Sequence, residues 1–138
     1  MITSRSLDDL HPKVKTLAEQ FKAACLKAGY EILIYCTYRD IEAQNALYAQ
    51  GRTTKGNIVT NARGGQSYHN WRVALDFVPM VHGKPAWNDS IAYAKCGHIA
   101  ESLGFEWAGR WTGKLKETAH IQFTNGLSIA DFKAGKTF

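Results

Sequence analysis

Two histidines and one aspartate lie in or beside apolar segments of the sequence. Asp76 interrupts an apolar run that reads as a strand, His69 lies seven residues before it, and His120 lies in a second apolar segment. A carboxylate inside an apolar strand is costly unless it is paired or binds a metal. Glu117, three residues before His120, adds a spare acid. Two imidazoles, one carboxylate and a nearby base are the inventory of a catalytic zinc ion with an open position for water.

Spacing alone leaves a chance arrangement of these residues open, because such patterns recur without function. His69 and Asp76 are an odd number of residues apart, so a regular strand would point them to opposite faces. Either the chain turns between them or His69 lies in the loop before the strand. The other three histidines, His11, His82 and His98, are interpreted as structural, since no other chemical group converges on them.

The elements that must position these residues follow from periodicity and from end signals. Apolar residues at helical spacing, with Asp or Gly at the ends, predict helices at 8–28, 41–50 and 90–103 and a helical turn at 128–134. Runs of β-branched and aromatic residues predict strands at 30–37, 73–81, 84–87, 105–107 and 119–123. Residues 51–66 form a long polar loop of the kind that is often functional. The order predicts an α+β domain with a small, mostly antiparallel sheet.

Composition is that of one soluble domain. The 138 residues are 45% hydrophobic and 21% charged, with a net charge of +5. This charge favours an anionic partner, but it is equally consistent with solubility alone. Cys25, Cys36 and Cys96 are an odd number without a CxxC pair, so we expect reduced thiols and no disulfide framework.

The first ten residues carry no apolar core and no small-residue cleavage site, so we expect no signal peptide. No stretch approaches the ~18 consecutive apolar residues of a membrane span.

The sequence from Ser67 to Phe77, SYHNWRVALDF, resembles the SxHxxGxAxD motif of the VanY-type D-alanyl-D-alanine carboxypeptidase and L-alanyl-D-glutamate peptidase family. ETAH, ending at His120, is similar to its second motif, and TYR, ending at Arg39, with the downstream Gln44 is similar to its first. The similarity runs in order from the first strand to the C-terminus. It implies the α+β zinc peptidase fold of the hedgehog and D-Ala-D-Ala peptidases, with helices flanking the sheet. Residues 1–138 would form a single catalytic domain without a separate wall-binding domain.

The resemblance also implies roles. His69, Asp76 and His120 would ligate Zn²⁺, and Glu117 would be the general base that activates water and protonates the leaving amine. Arg39 would stabilise the oxyanion or hold a substrate carboxylate. An ordinary surface ion pair is the alternative for Arg39.

Ser67, Gln44 and Tyr38 are the implied substrate contacts, and Ser67 could instead orient the metal ligands or be only a turn hydroxyl. Two positions depart from the family. Arg72 stands where the motif has Gly, and we expect the local turn to be remade with Arg72 pointing outward. Arg110 stands where many relatives have an acid, which puts an ion-binding role there in doubt.

The implied function is hydrolysis of peptidoglycan stem peptides. We expect an L-alanyl-D-glutamate endopeptidase that acts as a monomeric phage endolysin. It would stay in the host cytoplasm until a partner opens the membrane, and then act at an anionic cell envelope. The alternatives are a D-alanyl-D-alanine carboxypeptidase and a non-catalytic binding module for the wall or, given the charge, for nucleic acid. The complete set of candidate ligands argues against a decayed site, and we expect no nucleic-acid partner.

Overall fold

The computed structural model describes residues 1–138. Four helices and five strands follow one another as α1 (Pro12–Lys27), β1 (Glu31–Cys36), α2 (Ile41–Ala49), β2 (Ala74–Val81), β3 (Lys84–Pro85), α3 (Ser90–Ser102), β4 (Glu106–Trp107), β5 (His120–Gln122) and α4 (Ile129–Lys133). The region between α2 and β2 is a loop that ends in one 3-10 helix, Tyr68–Trp71. None of the helices combines the length and apolar character needed to cross a membrane.

The strands form one antiparallel sheet in the order β1-β2-β5-β4, with β3 paired to the far end of β2. This confirms the predicted α+β fold with a small, mostly antiparallel sheet and flanking helices. Asp40 and Asp89 accept hydrogen bonds from the first turns of α2 and α3, at Ala43 N and Ala92 N, as their positions in the sequence predict.

The first helix begins later than predicted. We expected it from residue 8, but residues Leu7–Asp9 form a separate 3-10 helix and α1 starts at Pro12. A proline disfavours helical geometry in the residue before it, so His11 is extended and α1 cannot continue backwards. The Nδ1 atom of His11 accepts the backbone N–H of Lys13 and caps α1, so this histidine has a structural role.

One face of the sheet forms the core. Phe21 of α1 and Tyr93 of α3 pack against buried apolar side chains of the central strands, including Leu75, Phe77 and Ile121. The register pairs Leu75 with Ile121, so these side chains share that face. The alternation of the strands then directs Asp76 and its neighbours to the opposite face.

Arg72 has the left-handed conformation that glycine adopts most easily, so the expectation of a remade turn is wrong. Its φ is 66° and its ψ is 26° at the end of the 3-10 helix. The side chain points outward as expected. Its Nη1 donates to Asp9 O at 2.8 Å and its guanidinium lies 3.8 Å above the Tyr38 ring. These contacts offset the roughly 1–2 kcal/mol that an L residue loses in this conformation.

Trp107 is wedged between two glycines. Its indole Nε1 donates to Thr118 O at 2.9 Å, and a Cβ added at either Gly97 or Gly109 would overlap the indole ring. Gly97 lies inside α3, where glycine is normally less stable than alanine by about 1 kcal/mol. Close helix–strand packing explains why glycine stands there.

We therefore expect Gly97→Ala to destabilise the protein although it improves helix propensity. Displacing a buried indole should lower the free energy of unfolding by about 1–3 kcal/mol. Urea denaturation followed by circular dichroism measures this difference. Lys95→Ala, an exposed change on the same helix, is the control and should have little effect. A more stable Gly97→Ala protein would show that the indole is not confined as described.

Candidate active site

The second face of the sheet gathers polar side chains. Asp76 of β2 pairs with His120 of β5, and Gln122 of β5 pairs with Glu106 of β4. Residues paired across an antiparallel ladder share a face, and so do residues two apart along a strand. Three neighbouring strands therefore bring two carboxylates, an imidazole and an amide to one surface.

The Asp76 carboxylate lies between two imidazoles. Its Oδ1 is 3.2 Å from His69 Nε2 and 3.0 Å from His120 Nδ1. Both histidines are buried, and only 17% of the Asp76 side chain is exposed. The three residues that the sequence singled out as metal ligands thus meet at one carboxylate oxygen.

His69 is brought to Asp76 from outside the strand. It lies in the 3-10 helix Tyr68–Trp71, which settles the odd spacing in favour of a turn before the strand. Ser67 caps this helix, its Oγ accepting the backbone N–H of His69 at 3.3 Å. His69 Nδ1 lies 2.8 Å from the carbonyl oxygen of Thr37. Because a carbonyl can only accept, Nδ1 carries the proton and Nε2 faces Asp76.

Charge and burial oppose each other at this site. Burial alone lowers the pKa of His69, but the charge of Asp76 and the hydrogen bond to it prevail and raise that pKa. Burial likewise raises the pKa of Asp76, and the two histidines outweigh it and hold that pKa below its usual range. Without metal, the site is a buried ion pair, and a metal that binds there must displace protons.

A β-bulge adds two side chains that the sequence analysis did not select. In β1, Ile34 pairs with Phe77 but Cys36 pairs with Asp76, so two residues oppose one. Bulges of this kind redirect side chains next to active sites. Here the bulge brings both Tyr35 and Cys36 to the face of Asp76. No local pattern predicts this bulge, since residues 30–37 read as a regular strand.

Tyr35 lines the cleft, with its ring packed edge-on against Trp87 at 5.2 Å. Burial raises its pKa, and the negative charges of Asp76 and Glu117 add to this effect. The phenol therefore stays protonated and remains a hydrogen-bond donor beside the two carboxylates.

Cys36 offers a second possible ligand set. Its Sγ, a nitrogen of His69 and an oxygen of Asp76 lie within 4.8 Å of one another. The sulfur is 3.8 Å from His69 Nδ1, the nitrogen already directed at Thr37, and accepts Arg39 Nη2 at 3.3 Å. Cys36 thus lies next to Nδ1 of His69. Asp76 Oδ1 is approached instead by His69 Nε2 and by His120 Nδ1.

The donor set fits zinc. Ligand atoms about 2.0–2.1 Å from a tetrahedral zinc ion lie roughly 3.3 Å apart, close to the 3.0 and 3.2 Å separations around Asp76 Oδ1. Nitrogen and carboxylate oxygen are the donors that zinc takes in catalytic sites. His69 also has the hydrogen-bonded second nitrogen that is typical of a zinc-ligating histidine.

Arg39 is fixed on the wall of the same cleft. Its Nη1 donates to Gln44 Oε1 at 3.0 Å, and its Nε is buried without a protein partner. Asn70 Nδ2 donates to Arg39 O at 2.9 Å, and Arg39 N donates to His69 O at 3.1 Å. These two bonds tie the backbone of Arg39 to the 3-10 helix that carries His69, while Gln44 holds the guanidinium.

The cleft has a volume of about 1000 Å³, and its walls include Arg39, Ser67, Glu117 and the three candidate ligands. Glu117 is exposed and lines the cleft, as Trp111 does. Loop residues Ile58 and Val59 also line it. The long loop therefore contributes to the site, and the structure brings the candidate base, cation and ligands together.

Two predicted substrate contacts do not lie on the cleft wall. Gln44 is buried, accepts from Arg39 and donates to Ala62 O at 2.9 Å, so it holds Arg39 from behind. The ring of Tyr38 is covered by Arg72. Arg110 pairs with Glu101 on the surface, away from the candidate ligands.

Comparison with known proteins identifies relatives of this chain. The VanY family, described as D-alanyl-D-alanine carboxypeptidase, matches residues 7–125. Over 123 residues the chain is 42% identical to the peptidoglycan L-alanyl-D-glutamate endopeptidase CwlK of Bacillus subtilis (strain 168), covering 83% of this chain and 73% of that protein. Over 132 residues it is 38% identical to the L-alanyl-D-glutamate peptidase of Listeria phage A118, covering 87% of this chain and 41% of the phage protein.

Solved structures show the same fold. The L-Ala D-Glu endopeptidase ChiX of Serratia marcescens superimposes with a TM-score of 0.64 at 21% identity, covering 89% of each chain. The vancomycin resistance D,D-pentapeptidase VanY, solved in complex with Zn(II), gives a TM-score of 0.61 at 14% identity, covering 90% of this chain and 83% of that one.

The two possible ligand sets predict different metal contents. We expect His120→Ala to lose most of its zinc, because one of the three donors around the metal is removed. Cys36→Ser should retain zinc, because the sulfur lies behind His69. Elemental analysis after dialysis against dilute chelator measures both. Zinc lost from Cys36→Ser and kept in His120→Ala would assign the metal to Cys36, His69 and Asp76.

Proposed function

The chain belongs to the VanY family of zinc-dependent peptidoglycan peptidases, and on that premise we propose that it is an endopeptidase that cuts between L-Ala and D-Glu of the stem peptide. The observation that carries this choice is the identity of 42% and 38% to two L-alanyl-D-glutamate peptidases. His69, Asp76 and His120 would hold the metal, with Cys36 outside the coordination shell.

The bond itself suits the cleft. D-Glu continues the stem through its side-chain carboxyl, so its α-carboxylate is free beside the scissile amide. Arg39 is the fixed cation of the cleft wall that could donate to this carboxylate or to the developing oxyanion. Its partnerless Nε adds an unsatisfied donor to the guanidinium. Gln44 then acts by holding Arg39, and Ser67 by capping the helix of His69.

Zinc, when bound, would lower the pKa of a water molecule and polarise the scissile carbonyl. The carboxylate of Glu117 accepts a proton from the attacking water and returns it to the nitrogen of the leaving D-Glu. Exposure at the cleft mouth leaves this carboxylate free to exchange protons. The Tyr35 hydroxyl, on the wall beside Asp76 and Glu117, can donate to the peptide.

The setting that we propose is host-cell lysis by a phage endolysin, with residues 1–138 as a monomeric catalytic domain. The phage relative supports this, although the chain covers only 41% of that protein. The enzyme would wait in the host cytoplasm and reach the wall when a partner opens the membrane. The net charge of +5 would favour an anionic envelope, and Lys114 on the cleft wall places some of it beside the substrate.

Product analysis tests the bond. Purified peptidoglycan digested by the protein should give new N-terminal D-Glu and C-terminal L-Ala, identified by mass spectrometry of the released peptides. Free D-Ala as the dominant product would make the chain a D-alanyl-D-alanine carboxypeptidase. Zinc-loaded protein that binds walls without releasing any peptide would make it a non-catalytic binder.

Glu117→Gln tests the base. The amide keeps the size of the side chain but cannot accept the proton, so turnover should fall by ~10²–10⁴ while bound zinc and the melting temperature stay unchanged. Glu42→Gln, an exposed change on α2, should leave turnover unaffected. Turnover of Glu117→Gln close to that of the unmodified protein would remove Glu117 from the mechanism.

Arg39→Lys tests the cation, since lysine keeps the charge but loses the planar fork. Loss of a charge-assisted contact worth about 1.5–3 kcal/mol corresponds to ~10- to 150-fold lower kcat/KM on purified peptidoglycan. Arg5→Lys, at an exposed arginine that does not line the cleft, is the matched control and should leave kcat/KM unchanged. An unchanged rate for Arg39→Lys would leave Arg39 as a purely structural residue.

A further inference from the structure

A chain of hydrogen bonds leads from the edge of the sheet to His120. Glu106 Oε2 accepts from Gln122 Nε2 at 2.9 Å, and Gln122 Oε1 lies 2.9 Å from His120 Nε2. Gln122 is 3% exposed, whereas Glu106 is at the surface of β4. The three side chains are neighbours on the second face of the sheet because Glu106 pairs with Gln122 and His120 is two residues before Gln122.

The direction of each bond follows from which atoms can donate. An ionised carboxylate only accepts, so the NH₂ group of Gln122 must face Glu106. The amide oxygen is then left facing His120, and Nε2 of His120 must be the donor. In a neutral imidazole the proton at Nε2 leaves a lone pair on Nδ1, the atom 3.0 Å from Asp76 Oδ1. The carboxylate at the edge thus determines which nitrogen His120 presents to the site.

The two histidines are held in different ways. The backbone carbonyl of Thr37 fixes His69, and no side-chain substitution removes that acceptor. His120 depends on the Gln122 amide, and the orientation of that amide depends on Glu106. Asp76 Oδ1 competes for the proton of His120 by attracting it to Nδ1. Without the amide oxygen, the proton on Nδ1 would occupy the lone pair that a metal needs.

We infer that Gln122 and Glu106 are positioning residues of the metal site, which keep Nδ1 of His120 free and aimed at the ion. Gln122 acts directly as the acceptor for Nε2–H, and Glu106 acts one bond further away by fixing the Gln122 amide. The inference rests on the proposed function of His120 as a zinc ligand.

The test compares zinc affinity, measured by competition with a chromophoric chelator, in the unmodified protein and four variants. Gln122→Leu removes the acceptor and should weaken zinc binding about 10- to 100-fold. Glu106→Gln lets the amide turn over and should weaken it by a smaller factor. The double variant Gln122→Glu with Glu106→Gln exchanges the pair. The carboxylate at position 122 then accepts from His120, and the amide at position 106 donates to that carboxylate. The exchanged protein should bind zinc within about threefold of the unmodified protein. Glu101→Gln, at a surface ion pair of α3, is the matched control.

A spectroscopic signal reports on the hydrogen bond itself. In the zinc-loaded protein the Nε2–H proton of His120 should be protected from exchange and visible by proton NMR. It should broaden or vanish in Gln122→Leu and return in the exchanged pair. If Gln122 only filled space, the signal should persist in Gln122→Leu, because leucine occupies a similar volume without an acceptor.

The outcomes separate this inference from the ligand assignment. If His120→Ala loses zinc but Gln122→Leu and Glu106→Gln bind it as the unmodified protein does, Gln122 and Glu106 are not positioning residues and the ligand set stands. If His120→Ala keeps its zinc, the ligand set of the proposed function is wrong. If Gln122→Leu does not fold, the surface variant Glu106→Gln tests the inference. Unchanged zinc affinity and an unchanged Nε2–H signal in that variant would overturn it. Failure of the exchanged pair to recover either readout would also overturn it.

Discussion

The carboxylate of Asp76, placed on the central strand of a small sheet, is the constraint on which the site depends. Its charge would be costly in that position without partners. The fold meets this cost with His120 from the next strand and His69 from the 3-10 helix before β2. Apolar packing on the opposite face, where Leu75 and Phe77 are fully buried, makes the strand rigid enough to hold this arrangement.

The surroundings of Asp76 are organised around these two imidazoles. The segment that carries Arg39 is bonded to the helix of His69, so the cation and one ligand are positioned as a unit. His120 belongs to the sheet and is oriented from its edge by Glu106 and Gln122. A substrate would therefore meet a cleft in which the proposed metal site joins two independently supported parts of the fold. Pre-organisation of this kind is how an enzyme favours the transition state without reorganising its own groups.

Much of this could be predicted from the sequence. Helices and strands have strong local signals, and the candidate ligands, which the structure brings together, could be named because Asp76 interrupts an apolar strand and the flanking residues match a family motif. The bulge in β1 could not be predicted, since Tyr35 and Cys36 reach the site only through a register shift against β2. The role of Gln122 could not be predicted either, because it depends on Glu106, its partner across the sheet. Predictions failed where tertiary contacts outweighed local preference, as at Arg72, which keeps a left-handed turn by contacting Asp9 and Tyr38.

The ligand set that we propose for zinc is two histidines and one aspartate, with the nearby thiol outside the coordination shell. X-ray absorption at the zinc edge of the purified protein tests this ligand set, since it distinguishes sulfur from lighter donors by distance. We expect only nitrogen and oxygen neighbours, at about 2.0–2.2 Å, with no sulfur. A sulfur neighbour at about 2.3 Å would place Cys36 in the coordination shell and rule out this ligand set.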